Sequence, residues 1–209
     1  MYSRRIYFLK IKILDRFNKA IITSKEAKQA GISSSSLSRL TSSGKITRVA
    51  RGVYLNTHAS RQLPIYIEDL IYSVKSIKGG AICLISALSY YNLTNEISRE
   101  NWISIPSKLS SFHVTKKKRI RFINLPDYNL GLKTIRIKGI SVKIYDSEIT
   151  IVDSFKYLSL ETAINALENY FRKKKNPDIK KLEEYSKIRN IDISKYIKEI
   201  SFDKIKKIC

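Results

Sequence analysis

The segment at residues 33–56 constrains the fold of this chain more than any other part of the sequence. It reads S-S-S-S-L-S-R-L-T-S-S-G-K-I-T-R-V-A-R-G-V-Y-L-N. Leu37 and Leu40 lie three residues apart, so both fall on one face of a short helix and the polar residues between them face outward. Gly44 is predicted to end that helix, because glycine adopts the left-handed conformation without steric cost. The β-branched and aromatic residues that follow are interrupted at residues 50–52, which predicts two strands around a tight turn.

The residues before this segment complete a small helical domain. Apolar side chains recur at three- and four-residue spacing over residues 6–18 and predict a first amphipathic helix. A short extended piece at residues 21–22 precedes a second helix capped by Ser24, and Ser33 is predicted to cap the third. This order of elements is typical of a winged helix-turn-helix, which we place at residues 1–60. A hairpin that simply follows a helix in an ordinary α+β protein would look similar.

The charge of the chain favours a polyanionic partner. The formal net charge is +22 over 209 residues, and residues 1–60 hold 12 Lys and Arg against 2 Asp and Glu. A field this strong indicates nucleic acid first and membrane phosphates second. The longest apolar run, at residues 81–88, is far shorter than the roughly 20 residues of a membrane-spanning helix. We therefore expect double-stranded DNA as the partner, and no membrane.

The cysteines and histidines indicate a cytoplasmic protein without a metal or other cofactor. Cys83 and Cys209 form neither a disulfide framework nor a C-x-x-C pair, as expected in a reducing cytosol. His58 and His113 are too few and too far apart for a cluster at metal-ligand spacing. Cys83 lies in an apolar run and is predicted to be a core residue. The first residues lack the uninterrupted apolar region of a signal peptide.

The predicted DNA contacts lie on the third helix and on the hairpin after it. Arg39 is expected to read a guanine, and the serine hydroxyls to bond phosphates or base edges. Lys45, Arg48 and Arg51 are expected to supply affinity from the wing. A solvated helix start is the alternative interpretation of the serines. The full set is Ser34, Ser35, Ser36, Ser38, Arg39, Ser42, Lys45, Arg48 and Arg51.

Residues 61–209 are predicted to form a mixed α/β domain that ends in a helical region, so the whole chain belongs to the α+β class. Residues 65–77 read as a helix ended by glycines, and residues 81–91 as a buried central helix. Later strands are expected around Trp102, at residues 120–125, and on either side of residues 138–139. Helices follow at residues 149–158, 160–172, 179–188 and 194–200.

A basic run in this second half is a possible second anion contact. It comprises Lys116, Lys117, Lys118, Arg119 and Arg121. A solvated loop is the alternative interpretation. The basic patch at residues 172–175 needs no function, because it lies at a helix C-terminus where the dipole favours cations.

The sequence lacks the motifs of common enzymes, and we expect no catalytic activity. It contains no G-x-x-x-x-G-K-S/T, G-x-G-x-x-G, H-E-x-x-H or G-x-S-x-G pattern. Asp146 and Glu148 have metal-clamp spacing, but the glycine–serine turn that a nucleotidyltransferase needs is not found before them. Pro126-Asp127 starts a nuclease-like pattern that no E-x-K completes.

The chain resembles the AbiEi family of antitoxins. The resemblance is carried by T-S-K-E-A-K-Q-A-G-I-S-S-S-S-L-S-R-L-T-S-S-G-K-I-T-R-V-A-R-G-V-Y at residues 23–54. Further blocks are A-I-C-L-I-S-A-L-S-Y-Y-N-L-T at 81–94, W-I-S-I-P at 102–106, I-T-I-V-D-S-F-K-Y at 149–157 and A-I-N-A-L-E-N-Y at 163–170.

The resemblance implies a transcriptional autorepressor that binds inverted repeats at the promoter of its own operon. It also implies a C-terminal domain that counteracts a nucleotidyltransferase-like toxin without a stable complex, in a type IV toxin-antitoxin system of abortive infection and phage defence. The chain departs from the family at residues 33–36, where four serines replace a frequently basic position. The alternative is a winged-helix regulator whose second half senses a ligand or partner and which has no toxin.

Overall fold

The computed structural model describes residues 21–56, 65–106, 119–137 and 140–206. The predicted first helix at residues 6–18 and the predicted domain boundary at residues 57–64 lie outside this part of the chain, so both stay predictions. The chain forms two compact units, one within residues 1–78 together with 135–142 and the other from residues 79–134 and 143–209.

The first unit contains a small antiparallel sheet with two helices inserted between its first two strands. Its elements are β1 (Ile21–Thr23), α1 (Ser24–Gln29), α2 (Ser34–Ser42), β2 (Ile46–Ala50), β3 (Val53–Asn56) and α3 (Ile65–Lys75). The strand order is β1-β3-β2, with Ile22 opposite Tyr54 and Thr47 opposite Leu55. The predicted helices, turn and hairpin of residues 21–56 are present in the predicted order.

Local capping explains where α1 and α2 begin. Thr23 accepts a hydrogen bond from the Glu26 amide, and the Glu26 carboxylate accepts one from the Thr23 amide at 2.8 Å, which forms a capping box. The prediction that Ser24 caps α1 is therefore wrong by one residue, since only Thr23 has a glutamate three positions later. Ser33 caps α2 as predicted, because its Oγ accepts from the Ser36 amide at 3.3 Å.

The end of α2 is fixed by Gly44, which has a φ of +69°. The Lys45 amide donates to the Leu40 carbonyl and the Gly44 amide to the Thr41 carbonyl, both at 3.0 Å. These two bonds form a Schellman motif, in which a left-handed residue satisfies the last carbonyls of the helix. The chain is thereby turned directly into β2. The core beneath it consists of Ile22, Ala27, Ile32, Leu37, Leu40 and Ile46, with Tyr54 packed against it.

The second unit is built on a mixed sheet with the order β6-β5-β4-β8-β7. The elements from residue 81 onward are β4 (Ala81–Ile82), α4 (Leu84–Tyr90), β5 (Asn101–Ser104), β6 (Ile120–Ile123), β7 (Leu132–Ile137), β8 (Ile140–Tyr145), α5 (Ser147–Tyr157), α6 (Leu160–Lys173), α7 (Ile179–Arg189) and α8 (Ser194–Lys206). Residues 135–142, which include parts of β7 and β8, are grouped with the first unit. β4 pairs antiparallel with β5 and parallel with β8, and β5 pairs parallel with β6. Both units together confirm the predicted α+β class and the helical C-terminal region.

The prediction of one buried helix over residues 81–91 is wrong in its first part. Ala81 and Ile82 form the central strand of the sheet, and only Leu84–Tyr90 is helical. Residues 81–88 are all buried. A strand that is covered on both faces is apolar at every position, so its pattern cannot be distinguished from that of a buried helix. Cys83 is completely buried, as predicted, and burial raises the pKa of its thiol well above the usual value.

An ion pair inside the second unit joins two of its helices. Asp153 on α5 is 1% exposed and Arg189 on α7 is 8% exposed. The Arg189 Nε donates to Asp153 Oδ1 at 2.8 Å, and its guanidinium also donates to the Pro126 carbonyl. Burial raises the pKa of Asp153 to about 6, although the charge of Arg189 acts in the opposite direction. A pair this buried requires both members, because neither charge has water as an alternative partner.

Candidate nucleic-acid interface

The outward face of α2 is a polar stripe of Ser35, Ser38, Arg39 and Ser42. These four residues are exposed and have i, i+3, i+4, i+7 spacing, which brings them onto one face of the helix. Leu37 and Leu40, both 1% exposed, occupy the opposite face. The stripe and Ser43 line an open groove of about 590 Å³. The surface that α2 presents therefore consists of hydroxyl groups around one guanidinium.

Hydrogen bonds within α2 occupy several of these hydroxyl groups. Ser33 Oγ lies 3.0 Å from Ser35 Oγ and 2.9 Å from Ser36 Oγ, and Ser42 Oγ donates to the Ser38 carbonyl at 3.1 Å. The Ser42 hydroxyl has thus used its proton and is left as an acceptor. Ser34 and the half-buried Ser36 were also predicted as DNA contacts, but they lie off the stripe in the capped first turn.

The hairpin after α2 carries the other predicted basic residues. Lys45 precedes β2, Arg48 lies on β2 opposite Tyr54, and Arg51 lies in the turn between β2 and β3; all three are exposed. The register shifts by one residue after Arg48, which bends the strand before the turn. The Ser24 amide donates to the Gly52 carbonyl at 2.7 Å and ties the turn to the start of α1. The turn is therefore held to the helical part of the unit.

The charge of this region is almost entirely positive. Residues 21–56 contain six Lys and Arg and a single acidic residue, Glu26. The Glu26 carboxylate is engaged in the capping box, where it accepts from the Thr23 amide and hydroxyl. Across the described ranges, no carboxylate pairs with Arg39, Arg48 or Arg51. The N-terminus of α2 carries the positive end of the helix dipole, and no acidic residue in the first turn offsets it.

The predicted second anion contact is only partly described. Lys116, Lys117 and Lys118 lie outside the described residues. Arg119 and Arg121 are exposed at β6, which is the last strand at one side of the five-stranded sheet. Arg121 Nε lies 2.9 Å from Glu100 Oε2. One of the two described arginines is therefore already held by a carboxylate.

The acidic pair Asp146 and Glu148 is a salt-bridged junction of α5, α6 and α7. Asp146 caps α5, and its Oδ2 lies 2.9 Å from Lys181 Nζ. Glu148 Oε1 accepts from Lys174 Nζ at 2.8 Å and from the Tyr170 hydroxyl at 2.6 Å. Burial alone would raise the pKa of Glu148, but the hydrogen bonds to its carboxylate, those of Lys174 and Tyr170 first among them, outweigh it and lower the pKa to about 2. Sequence spacing gives no sign of these partners, which come from helices further along the chain.

The described residues hold neither a metal-binding cluster nor a helix able to span a membrane. No cluster of three or more His, Cys, Asp and Glu side chains suitable for a metal ion occurs among the described residues. Within the same part of the chain, no helix has the length and apolarity that crossing a membrane requires.

Comparison with known protein families finds a match for the N-terminal segment of the chain. Residues 10–57 match the family described as "Transcriptional regulator, AbiEi antitoxin". This match includes β1, α1, α2, β2 and β3, that is, the polar stripe and the basic hairpin. No curated protein matches the chain.

The class that this match defines is that of transcriptional regulators. Within that class, residues 10–57 are similar to the AbiEi antitoxins, which confirms the predicted resemblance over that segment. AbiEi regulators are not an enzyme family. The further blocks at residues 81–170 lie outside the match, so the resemblance of the second half stays a prediction.

Proposed function

We propose that this chain is a DNA-binding autorepressor and the antitoxin of a type IV toxin-antitoxin system. The observation that carries the proposal is the position of the polar stripe and the basic hairpin inside the segment that matches AbiEi regulators. In this proposal, residues 21–56 act as a winged helix-turn-helix. α2 enters the major groove, and the β2–β3 hairpin lies along the backbone as the wing.

In this proposal the polar stripe contacts bases and the basic hairpin contacts phosphates. Arg39 is its only side chain that can form a bidentate pair with a base, and guanine presents the two acceptors that a guanidinium matches. Ser42 is left as an acceptor, since its proton is bonded to the Ser38 carbonyl. The exposed Lys45, Arg48 and Arg51 neutralise phosphates and supply affinity that is independent of base sequence.

The second half is proposed to counteract a nucleotidyltransferase-like toxin encoded in the same operon. Support comes from the resemblance of its sequence blocks to AbiEi antitoxins. No stable complex with the toxin is required by this proposal. A second half that only senses a ligand or partner is the competing function, and it would give no protection from such a toxin.

DNA binding is tested by fluorescence anisotropy on the DNA upstream of the gene, at several salt concentrations. Arg51→Ala should weaken binding to every duplex and reduce the slope of log K against log salt by about 1. Arg39→Ala should also reduce the preference for the upstream DNA over an unrelated duplex. Arg172→Ala removes an exposed arginine of α6 and serves as the matched control. Equal losses in Arg39→Ala and Arg172→Ala would contradict the proposed interface.

Antitoxin activity is tested with the full-length chain and the neighbouring toxin gene under an unrelated promoter. The Arg39→Ala/Arg51→Ala double variant should lose repression of its own promoter and should still protect cells from the toxin. If protection disappears with repression, the second half does not antagonise the toxin and that part of the proposal fails.

A further inference from the structure

A second groove, of about 530 Å³, lies at the β5–β6 side of the sheet in the second unit. It is lined by Ser98, Arg99, Glu100, Trp102, Arg119 and Arg121. Three arginines and one tryptophan thus line the same groove. This combination of residues is unlike the hydroxyl groove of α2 and has no role in the function proposed above.

The strand register brings the indole and one guanidinium together. Trp102 on β5 is the direct neighbour of Arg121 on β6, so their side chains lie on the same face of the sheet. The guanidinium carbon of Arg121 lies 4.7 Å from the centre of the Trp102 ring, a cation–π contact. Trp102 also packs against the core of the unit, and its amide donates to Ser86 Oγ at 2.9 Å. The indole is therefore a fixed base for the guanidinium above it.

A turn at residues 98–100 holds the guanidinium in place. Ser98 Oγ donates to the Glu100 carbonyl at 2.7 Å and accepts from the Glu100 amide at 3.2 Å. Glu100 in turn binds Arg121 Nε at 2.9 Å. Both side chains of this ion pair are substantially exposed, at 53% for Arg121 and 38% for Glu100. The indole and the carboxylate together hold the guanidinium as a planar layer that solvent can reach.

The two other arginines of the groove supply positive charge without a matching carboxylate. Arg99 and Arg119 are exposed, and no Asp or Glu of the described ranges forms an ion pair with either. Arg119 lies two residues before Arg121, and its carbonyl accepts from the Asn101 amide at 2.9 Å, which holds its backbone against β5. The groove thus combines a planar layer with an excess of guanidinium donors.

From this arrangement we propose that the groove binds a phosphorylated nucleobase. Base rings stack on arginine planes and on aromatic rings, and the layer of Arg121 over Trp102 offers such a surface. Arg99 and Arg119 bind the phosphate, for which guanidinium donors have matching geometry. The volume of the groove is in the range of small-ligand sites. The source of the base is a free nucleotide or an unpaired strand, since a base within a duplex is already stacked on its neighbours.

The intrinsic fluorescence of the full-length protein reports on this site directly, because Trp102 is the only tryptophan of the chain. Emission is followed during titration with AMP, with short single-stranded DNA and RNA, and with an abasic phosphodiester of the same length. Inorganic phosphate, polyglutamate and a duplex complete the series. Saturable quenching by AMP assigns a free nucleotide as the ligand, and quenching by single strands alone assigns an unpaired strand; either supports the proposal.

Two variants separate stacking from charge. Arg119→Ala should weaken binding of the quenching ligand about tenfold, since it removes a charged hydrogen-bond donor. Arg121→Lys keeps the charge but loses the plane, so it should weaken the base-bearing ligand about fivefold and leave the abasic phosphodiester unchanged. Arg136→Ala, at an exposed arginine of β7, is the control and should leave binding unchanged.

Several results would overturn the proposal. The first is binding of the abasic phosphodiester, inorganic phosphate or polyglutamate as tightly as the base-bearing ligand. The second is a response of Trp102 emission to the duplex alone. The third is no change in Trp102 emission with any ligand. The site is independent of the α2 interface, so Arg39→Ala and Arg51→Ala should keep the full Trp102 response. A protein that fails to bind upstream DNA but keeps this response would contradict the repressor function and not the nucleotide site.

Discussion

The buried ion pair between Asp153 and Arg189 makes the stability of the second unit depend on pH in a defined direction. Arg189→Met removes the guanidinium and keeps most of the volume of the side chain. It leaves the Asp153 carboxylate, 1% exposed, without its counter-charge and the Pro126 carbonyl without its donor. Removal of one member of a buried pair costs about 3–5 kcal/mol. We expect a loss of this size in the free energy of unfolding at pH 8.

The loss should shrink as the pH falls. Burial raises the pKa of Asp153 to about 6 in the folded protein, against roughly 3.9 in the unfolded chain. The folded state therefore binds a proton more tightly, and between pH 6 and pH 4 protonation of Asp153 adds up to about 3 kcal/mol of stability. In Arg189→Met the pKa of Asp153 rises further, so the variant gains more from acid than the original protein. By pH 5 the carboxyl group is neutral in both, and the Coulomb part of the difference has disappeared.

The assay is equilibrium unfolding in urea, followed by far-ultraviolet circular dichroism at pH 8, 7, 6 and 5. Asp153→Asn is the matched control, because its side chain cannot titrate. It lacks the gain that protonation of Asp153 gives the original protein, so its deficit should grow by roughly 1.4 kcal/mol from pH 8 to pH 5, whereas the deficit of Arg189→Met shrinks. The double variant Asp153→Asn/Arg189→Met should be more stable than the sum of the two single losses implies. A deficit of Arg189→Met below about 1 kcal/mol, or one equal at pH 5 and pH 8, would refute this reasoning.

Three further outcomes follow from local geometry. Glu148→Gln should lose about 3 kcal/mol of unfolding free energy at pH 7, because the pKa of Glu148 is lowered to about 2 in the folded protein. This stabilisation is present above roughly pH 4.3 and is lost as the pH falls towards 2. Urea unfolding at pH 7, 4 and 3 measures the loss, and a variant with the same pH dependence as the original protein would contradict the prediction. Gly131→Ala should cost more than about 2 kcal/mol, since φ is +71° and a Cβ would lie 2.5 Å from Ile149 Cγ2; a thermal midpoint equal to that of the original protein would refute it. Ser33→Ala should cost about 1 kcal/mol by loss of the α2 cap, whereas Ser33→Asp should keep it; equal unfolding midpoints for the two variants would contradict the role of the cap.

The order of elements in residues 21–56 follows from the sequence alone. Ser33 as the cap of α2 and Gly44 as its end are both decided by partners within a few positions along the chain. The pair of Leu37 and Leu40 sets the buried face of α2 and thereby the polar stripe opposite. The cap of α1 is Thr23 and not the predicted Ser24. The glutamate three residues after Thr23 is the local signal that distinguishes the two positions.

Only the tertiary structure decided the features of the second unit that carry chemistry. Arg189 meets Asp153 across 36 positions, and Arg121 meets Glu100 across 21. The strand at Ala81–Ile82 exists because it is paired on both sides, with Ile103 and with Ile144. In each case the partner is brought close by packing of distant segments, so no local pattern of spacing or propensity records it. A helix cap, in contrast, depends on atoms a few bonds away. That is why the helices and strands of residues 21–56 could be predicted from the sequence, and the contact of Arg121 with Trp102 and Glu100 could not.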